Sequence, residues 1–119
     1  MKTHWTLERG VLNATLLDNP TARDFATLLP LELTLSDYAK TEKISDLPRR
    51  LRTDGAPPGL AAHAGDITYY APWGNLAIFY RPFQYAEGLI KLGSFDGSLA
   101  LLTAQTRGFS IRVSKVQSP

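Results

Sequence analysis

Residues 65–80, "GDITYYAPWGNLAIFY", decide how this chain folds. The runs "DITYYA" and "NLAIFYR" are rich in isoleucine, tyrosine and phenylalanine, residue types that suit strands. Between them lies Pro72-Trp73-Gly74. Ala71–Gly74 fits a type I turn, with proline at the second position and glycine at the fourth. The segment therefore reads as a β-hairpin. Alternate side chains of a strand point to opposite faces. Tyr69 and Ala71 share one face, and Tyr70 faces the other way. Leu76, Ile78 and Tyr80 share a face, and Ala77, Phe79 and Arg81 share the opposite one. One of these sets has to be core. Trp73 sits on the turn, outside that alternation. It is either a plug folded over a barrel end or part of an exposed aromatic surface.

Working outward, strand patterns dominate. "HWTLERGVLNATLL" reads as a hairpin, with Trp5 and Leu7 alternating with polar residues before a turn at Glu8-Arg9-Gly10. Gly10 is expected to supply a positive φ there. "LELTLSDY" alternates strictly, placing Leu31, Leu33 and Leu35 on one face. "TEKISDLP" is a weaker extended piece ending at Pro48. "GLIKLGSF" is a further strand, and Phe109, Ile111 and Val113 alternate in the last one. One solid helix is expected over about 20–29. Asn19 can cap it and Pro20 suits its first position, although Thr21 and Asp24 offer a competing capping box. Ala22, Phe25, Leu28 and Leu29 share one helical face, and Pro30 ends it. "DGSLALLTA" suggests a short helical turn at about 97–103. About eight short strands with one clear helix point to a mainly β fold, a closed or nearly closed antiparallel barrel. Closure removes sheet edges that would otherwise invite aggregation.

With 119 residues, the chain fits one domain, 1–119. The apolar fraction of 44% and charged fraction of 20% are ordinary for a globular domain. The net charge of +2 leaves only one dense basic cluster, Arg49-Arg50-Leu51-Arg52, so a nucleic-acid partner is not expected. No apolar run reaches the length of a membrane span and the first residues lack an apolar signal core, so no membrane association is expected. There are no cysteines, which excludes disulfides and thiolate chemistry and suits a reducing, cytoplasmic setting.

No reaction is legible in the residues. His4 and His63 are the only histidines, and no Gly-x-Ser-x-Gly elbow accompanies them. His63 and Asp66 lack the further ligands that a metal would need. Glu42 and Asp46 could face each other, but nothing marks them as an acid and base pair. No phosphate-binding glycine motif is present, so no cofactor is expected. Residues 53–65, "TDGAPPGLAAHAG", form a long loop of the kind used as a lid or binding loop.

The helix "TARDFATLLP", the segment "TEKISDLPRRL", then "GDITYYAPWGNLAIFY", "LIKLGSF" and "GFSIRVSKV" together resemble the small bacterial cyclophilin-like proteins. The likeness runs from about Trp5 to Val116 and is most specific at Asn19-Pro20-Thr21, Thr41–Ile44 and Tyr69–Asn75. It implies a cyclophilin-like barrel. True cyclophilins are peptidyl-prolyl isomerases with a Phe-His-Arg motif after the first helix and a Gln-Gly-Gly-Asp-Phe run. The corresponding stretch here, Glu42-Lys43-Ile44 to Arg52, has neither. Asn75–Phe79 resembles the family's inner strand, and Leu92-Gly93-Ser94-Phe95 resembles its later Phe-Gly-Lys-Val turn. Lysine offers a point charge without the planar fork of a guanidinium, so Lys43 is a poor substitute for the catalytic arginine. Arg81 lies in the wrong strand for that role.

These readings leave three functions open. The first is a binding domain for a peptide or small ligand, without catalytic residues, using Tyr70, Trp73, Arg81, Phe83 and Tyr85 and gated by the loop at 53–65. The second is a prolyl isomerase with a rearranged site, in which Arg81 or Arg49 orients the amide. The third is an accessory domain of a redox system, because some relatives accompany flavodoxin-like domains. Oligomeric state and ligand identity are not legible.

Overall fold

A computed structural model describes residues 1–116. Its strands are β1 (Lys2–Leu7), β2 (Gly10–Leu16), β3 (Leu31–Tyr38), β4 (Glu42–Asp46), β5 (Gly59–Leu60), β6 (Asp66–Tyr70), β7 (Asn75–Phe79), β8 (Ala86–Glu87), β9 (Leu89–Phe95) and β10 (Phe109–Lys115). The helices are α1 (Pro20–Ala26) and α2 (Ala100–Thr103). Eight strands close into an antiparallel barrel in the order β1-β10-β3-β4-β7-β6-β9-β2, and β2 pairs back onto β1. The quoted hairpin is β6–β7, with Tyr69 opposite Leu76 and Tyr70 opposite Asn75. The two-stranded ribbon β5–β8, which sequence patterning does not reveal, lies outside the barrel.

The inward-facing residues fill the barrel. Trp5 is fully buried, stacked on Phe25 at 6.2 Å between ring centroids and meeting Phe95 edge-on at 5.3 Å. Its indole N–H donates to Thr3 Oγ1 at 3.0 Å, and the Thr3 hydroxyl donates to the Ala14 carbonyl at 3.1 Å. Burial of the ring thus leaves no polar atom without a partner. Leu33, Leu35, Ile67, Tyr69, Leu76, Ile78, Leu92, Ile111 and Val113 complete this core. The Tyr69 hydroxyl accepts from the Leu51 N–H at 3.1 Å.

Residues 77 and 79, on the opposite face of β7, are also buried. A second core forms there from Ala62, Ala77, Phe79 and Leu89, with Leu60, Tyr70 and Ala86 packed against it. The loops that carry β5 and β8 supply this cover, so both faces of β7 are interior.

At α1 the Asn19 start prevails over the Thr21 alternative, because Asn19 Oδ1 accepts from the Ala22 N–H at 2.8 Å. The helix ends at Ala26 rather than at 29. Leu28 and Leu29 donate to the carbonyls of Phe25 and Ala26, three residues back, forming a tighter turn ahead of Pro30. α2 covers only Ala100–Thr103 of the expected 97–103 turn. In the first hairpin Glu8-Arg9 make the turn, and Gly10 is already in β2 opposite Leu7 with an almost extended φ of 159°.

Candidate functional site

The β6–β7 turn is held firmly. The Gly74 N–H donates to the Tyr70 carbonyl at 2.8 Å and to the Ala71 carbonyl at 3.2 Å, the second being the i to i+3 bond expected of the turn. Gly74 has φ +68°, a conformation that costs glycine little. The Ala71 N–H donates to the Gly88 carbonyl at 2.9 Å, and Arg50 Nη1 donates to the Ala71 carbonyl at 2.8 Å. A Cβ at Gly88, itself at φ +82°, would fall 2.6 Å from Pro72 Cδ, so only glycine permits this approach. Trp73 is displayed on this clamped turn with 57% of its surface exposed. Trp73 is therefore not a plug.

A cavity of about 180 Å³ lies beside Trp73, lined by Tyr38, Glu42, Tyr70, Trp73, Phe79, Phe83, Ala86 and Leu89. Tyr38 and Tyr70 stand nearly perpendicular to Trp73, with ring centroids at 5.7 and 5.4 Å and interplanar angles of 83° and 79°. Phe83 stacks on Phe79 at 5.6 Å and its N–H donates to the Ala62 carbonyl at 3.0 Å. Aliphatic Ala86 and Leu89 close the lining. The one charged lining residue is Glu42, half-buried at the start of β4. Burial raises its carboxyl above the usual carboxylate range, and the neighbouring Asp37 charge adds to the effect.

Three of the expected site residues, Tyr70, Trp73 and Phe83, thus meet in one cavity. The other two do not join them. Arg81 is exposed and lies outside the lining, because β7 ends at Phe79 and the strand alternation does not extend to residue 81. Tyr85 is exposed and lies over Gly59, where an added Cβ would come within 2.7 Å of Tyr85 Cζ. The pocket's charge is therefore a carboxylate rather than the expected cation. Tyr38, Glu42, Phe79, Ala86 and Leu89 line the cavity without having been singled out by the sequence. Glu42 arrives through the pairing of β4 with β7, which sets it opposite Phe79, and Tyr38 through the pairing of β3 with β4, which sets it opposite Glu42.

The loop at 53–65 contributes no residue to this cavity. Hydrogen bonds from Gly65 N–H to Phe79 O (2.7 Å), Gly88 N–H to Pro58 O (2.8 Å) and Phe83 N–H to Ala62 O tie it down behind the site. That placement differs from a gate over the mouth.

The remaining chemical candidates are structural in setting. Lys43 is buried. Its ammonium donates to the Gln105 carbonyl at 2.8 Å, pairs with Asp37 at 3.4 Å, and lies 5.5 and 5.8 Å from the Tyr80 and Phe109 ring centroids. The Tyr80 hydroxyl donates to Asp37, and burial together with that carboxylate raises its pKa to about 12. Arg49 grips Asp24 with two hydrogen bonds of 2.9 Å, and Arg52 pairs with Asp54 at 2.6 Å. Glu42 and Asp46 sit at opposite ends of β4, so they cannot work on one substrate atom. His63 Nδ1 lies 3.9 Å from Asp66 on an exposed ring, and no group of three metal-ligating side chains occurs among the described residues. No described helix is long and apolar enough to cross a membrane.

The class is a mainly β protein, a closed eight-stranded antiparallel barrel with one helix of seven residues and an aromatic cavity on its side. The Cyclophilin-like family model matches residues 5–114, and the chain belongs to that family. The solution structure of a hypothetical protein from Archaeoglobus fulgidus is similar in fold, with a TM-score of 0.69 and 18% sequence identity. The match covers 98% of this chain and 95% of that one. No curated protein matches this sequence.

Proposed function

We propose that this domain binds a peptide or a small ligand in the cavity beside Trp73, and that it does so without prolyl isomerase activity. The observation that carries this reading is the exposed aromatic lining. Tyr38, Trp73 and Phe83 are 45%, 57% and 39% exposed, and all three border the same concave space. Large aromatic rings left open to water around a concavity are more often a recognition surface than an accident of packing.

The non-catalytic half of the reading is supported by what surrounds the cavity. Prolyl isomerisation faces a barrier of roughly 18–20 kcal/mol. A guanidinium that hydrogen-bonds near the twisting amide is the cyclophilin means of lowering it. None of the lining residues is an arginine, and Arg49 is already engaged by Asp24. No feature of the described residues favours the redox accessory role. The absence of cysteines suits a cytoplasmic setting.

Crystals soaked with aromatic and aliphatic fragments and with short proline-containing peptides test the binding half. Density is expected against Trp73 and Phe83. Occupancy confined to other surfaces would overturn it. A proline isomerisation assay at micromolar protein is expected to show no rate gain, and a clear gain would overturn the non-catalytic half.

A further inference from the structure

The cavity has a chemical bias that narrows its ligand. This inference rests on the reading that the cavity binds something. Its walls are the rings of Tyr38, Tyr70 and Trp73, with the tyrosines nearly perpendicular to the indole. Rings set at right angles around a space present electron-rich faces and electron-poor edges in a box-like arrangement. The remaining lining, Phe79, Phe83, Ala86 and Leu89, is apolar in its side chains. The single charge is the Glu42 carboxylate, which has no ion-pair partner among the described residues.

Three positive groups, Lys43, Arg50 and Arg81, are engaged elsewhere or lie outside the lining. The Lys43 ammonium is committed to Gln105 and Asp37. Arg50 donates to the Ala71 carbonyl at the turn, and Arg81 does not reach the lining. Asp37, adjacent to Glu42, adds further negative potential, which contributes to holding the Glu42 proton more tightly than usual. A half-buried carboxylate without a counter-charge, beside three aromatic rings, lacks one thing: a cation.

We propose that this cavity takes an alkylated ammonium group, quaternary or methylated. Cation–π attraction to the rings and the charge of Glu42 both favour a positive head. The apolar walls offer few acceptors for N–H groups, so methyl-covered nitrogen suits the space better than a bare ammonium, whose hydration would have to be given up. Two sources share this chemistry, a free choline-like molecule and a methylated lysine on a peptide.

The test uses the full chain in titrations followed by NMR with three probes. They are choline, N-acetyl trimethyl-lysine amide, and neohexanol, the uncharged carbon analogue of choline. The charged probes are expected to shift Tyr38, Tyr70 and Trp73 signals and to bind at least roughly tenfold more tightly than neohexanol. Glu42→Gln is expected to weaken the charged probes several-fold and leave neohexanol unchanged. Binding of the charged probes should also weaken as pH falls through the Glu42 titration. Tighter binding of choline would indicate a small molecule, and tighter binding of the lysine derivative a modified peptide. Both outcomes uphold the proposal. If neohexanol binds at these residues as tightly as choline, the cavity is a ligand site but the cationic specificity is wrong. If no probe, charged or neutral, and no fragment perturbs these residues, the binding function fails with it.

Discussion

The two tryptophans show how differently one residue type is used. Trp5 is wholly enclosed, its ring packed between Phe25 and Phe95 and its N–H satisfied by Thr3. Trp5→Ala should therefore leave a cavity and destabilise the fold by about 3–5 kcal/mol. Trp73 contributes an open ring on a turn that is clamped by backbone bonds. Trp73→Ala, which loses two edge-on ring contacts but no core volume, should cost only about 0.5–1.5 kcal/mol. Urea unfolding of both variants checks this pair, and comparable losses would contradict the assignment of separate roles. The place of Trp73 on a turn is legible because residues 72–74 break the strand alternation, whereas its exposure is not. Arg81 falls outside the cavity for a related reason. Strand parity does not hold past Phe79, where β7 ends. Glu42 and Tyr38 are not legible as cavity residues because nothing local marks them; they lie far from Trp73 in sequence.

Among the elements, the hairpins explain most of what could be anticipated. Period-two patterns locate β1, β2, β3 and β10, because each has one face turned to the barrel interior, whereas β6, β7 and β9, buried largely on both faces, are legible from their strand-forming residues and flanking turns. The ribbon β5–β8 has two residues per strand and no alternation to detect. It nonetheless helps to bury the outer face of β7, through Leu60 and Ala86. The β3–β4 turn carries a cost that the sequence conceals. Ala39 and Lys40 both have positive φ, 55° and 54°, conformations that oppose a Cβ. Ala39→Gly should raise stability by about 0.5–1 kcal/mol, the relieved strain exceeding the extra freedom of the unfolded chain. A shift of the urea midpoint measures it, and a decrease would show that the turn is not strained.

For the whole molecule, closure is the central physical fact. The order β1-β10-β3-β4-β7-β6-β9-β2 brings residues far apart in sequence into one surface. The barrel class followed from strand number and from the family resemblance, whereas strand order did not, since single-strand patterns carry no pairing information. Tertiary carboxylate contacts seal the outside. Asp24 is held below its usual value of 3.8 by hydrogen bonds from Arg49 and Arg52, Asp37 by Tyr80 and Lys43, and Asp96 by Thr15 and Lys2. Groups depressed on folding stabilise fully above the unfolded value and lose that contribution as pH falls through the lower folded one. Glu42, raised above 4.5, acts in the opposite sense but is a single group. The melting temperature should stay nearly level from about pH 7 to 5 and fall below about pH 4. A level profile down to about pH 2 would contradict these contacts.

The cavity beside Trp73 as the working surface of this barrel is most directly tested by the two indole N–H signals in a proton–nitrogen NMR spectrum, recorded while small aromatic and alkylammonium ligands are added. The Trp73 signal and the amides of Tyr70 and Phe83 should move together and saturate, with the Trp5 signal fixed at its bond to Thr3. Ligand shifts that cluster elsewhere on the barrel, with the Trp73 signal unmoved, would contradict the account.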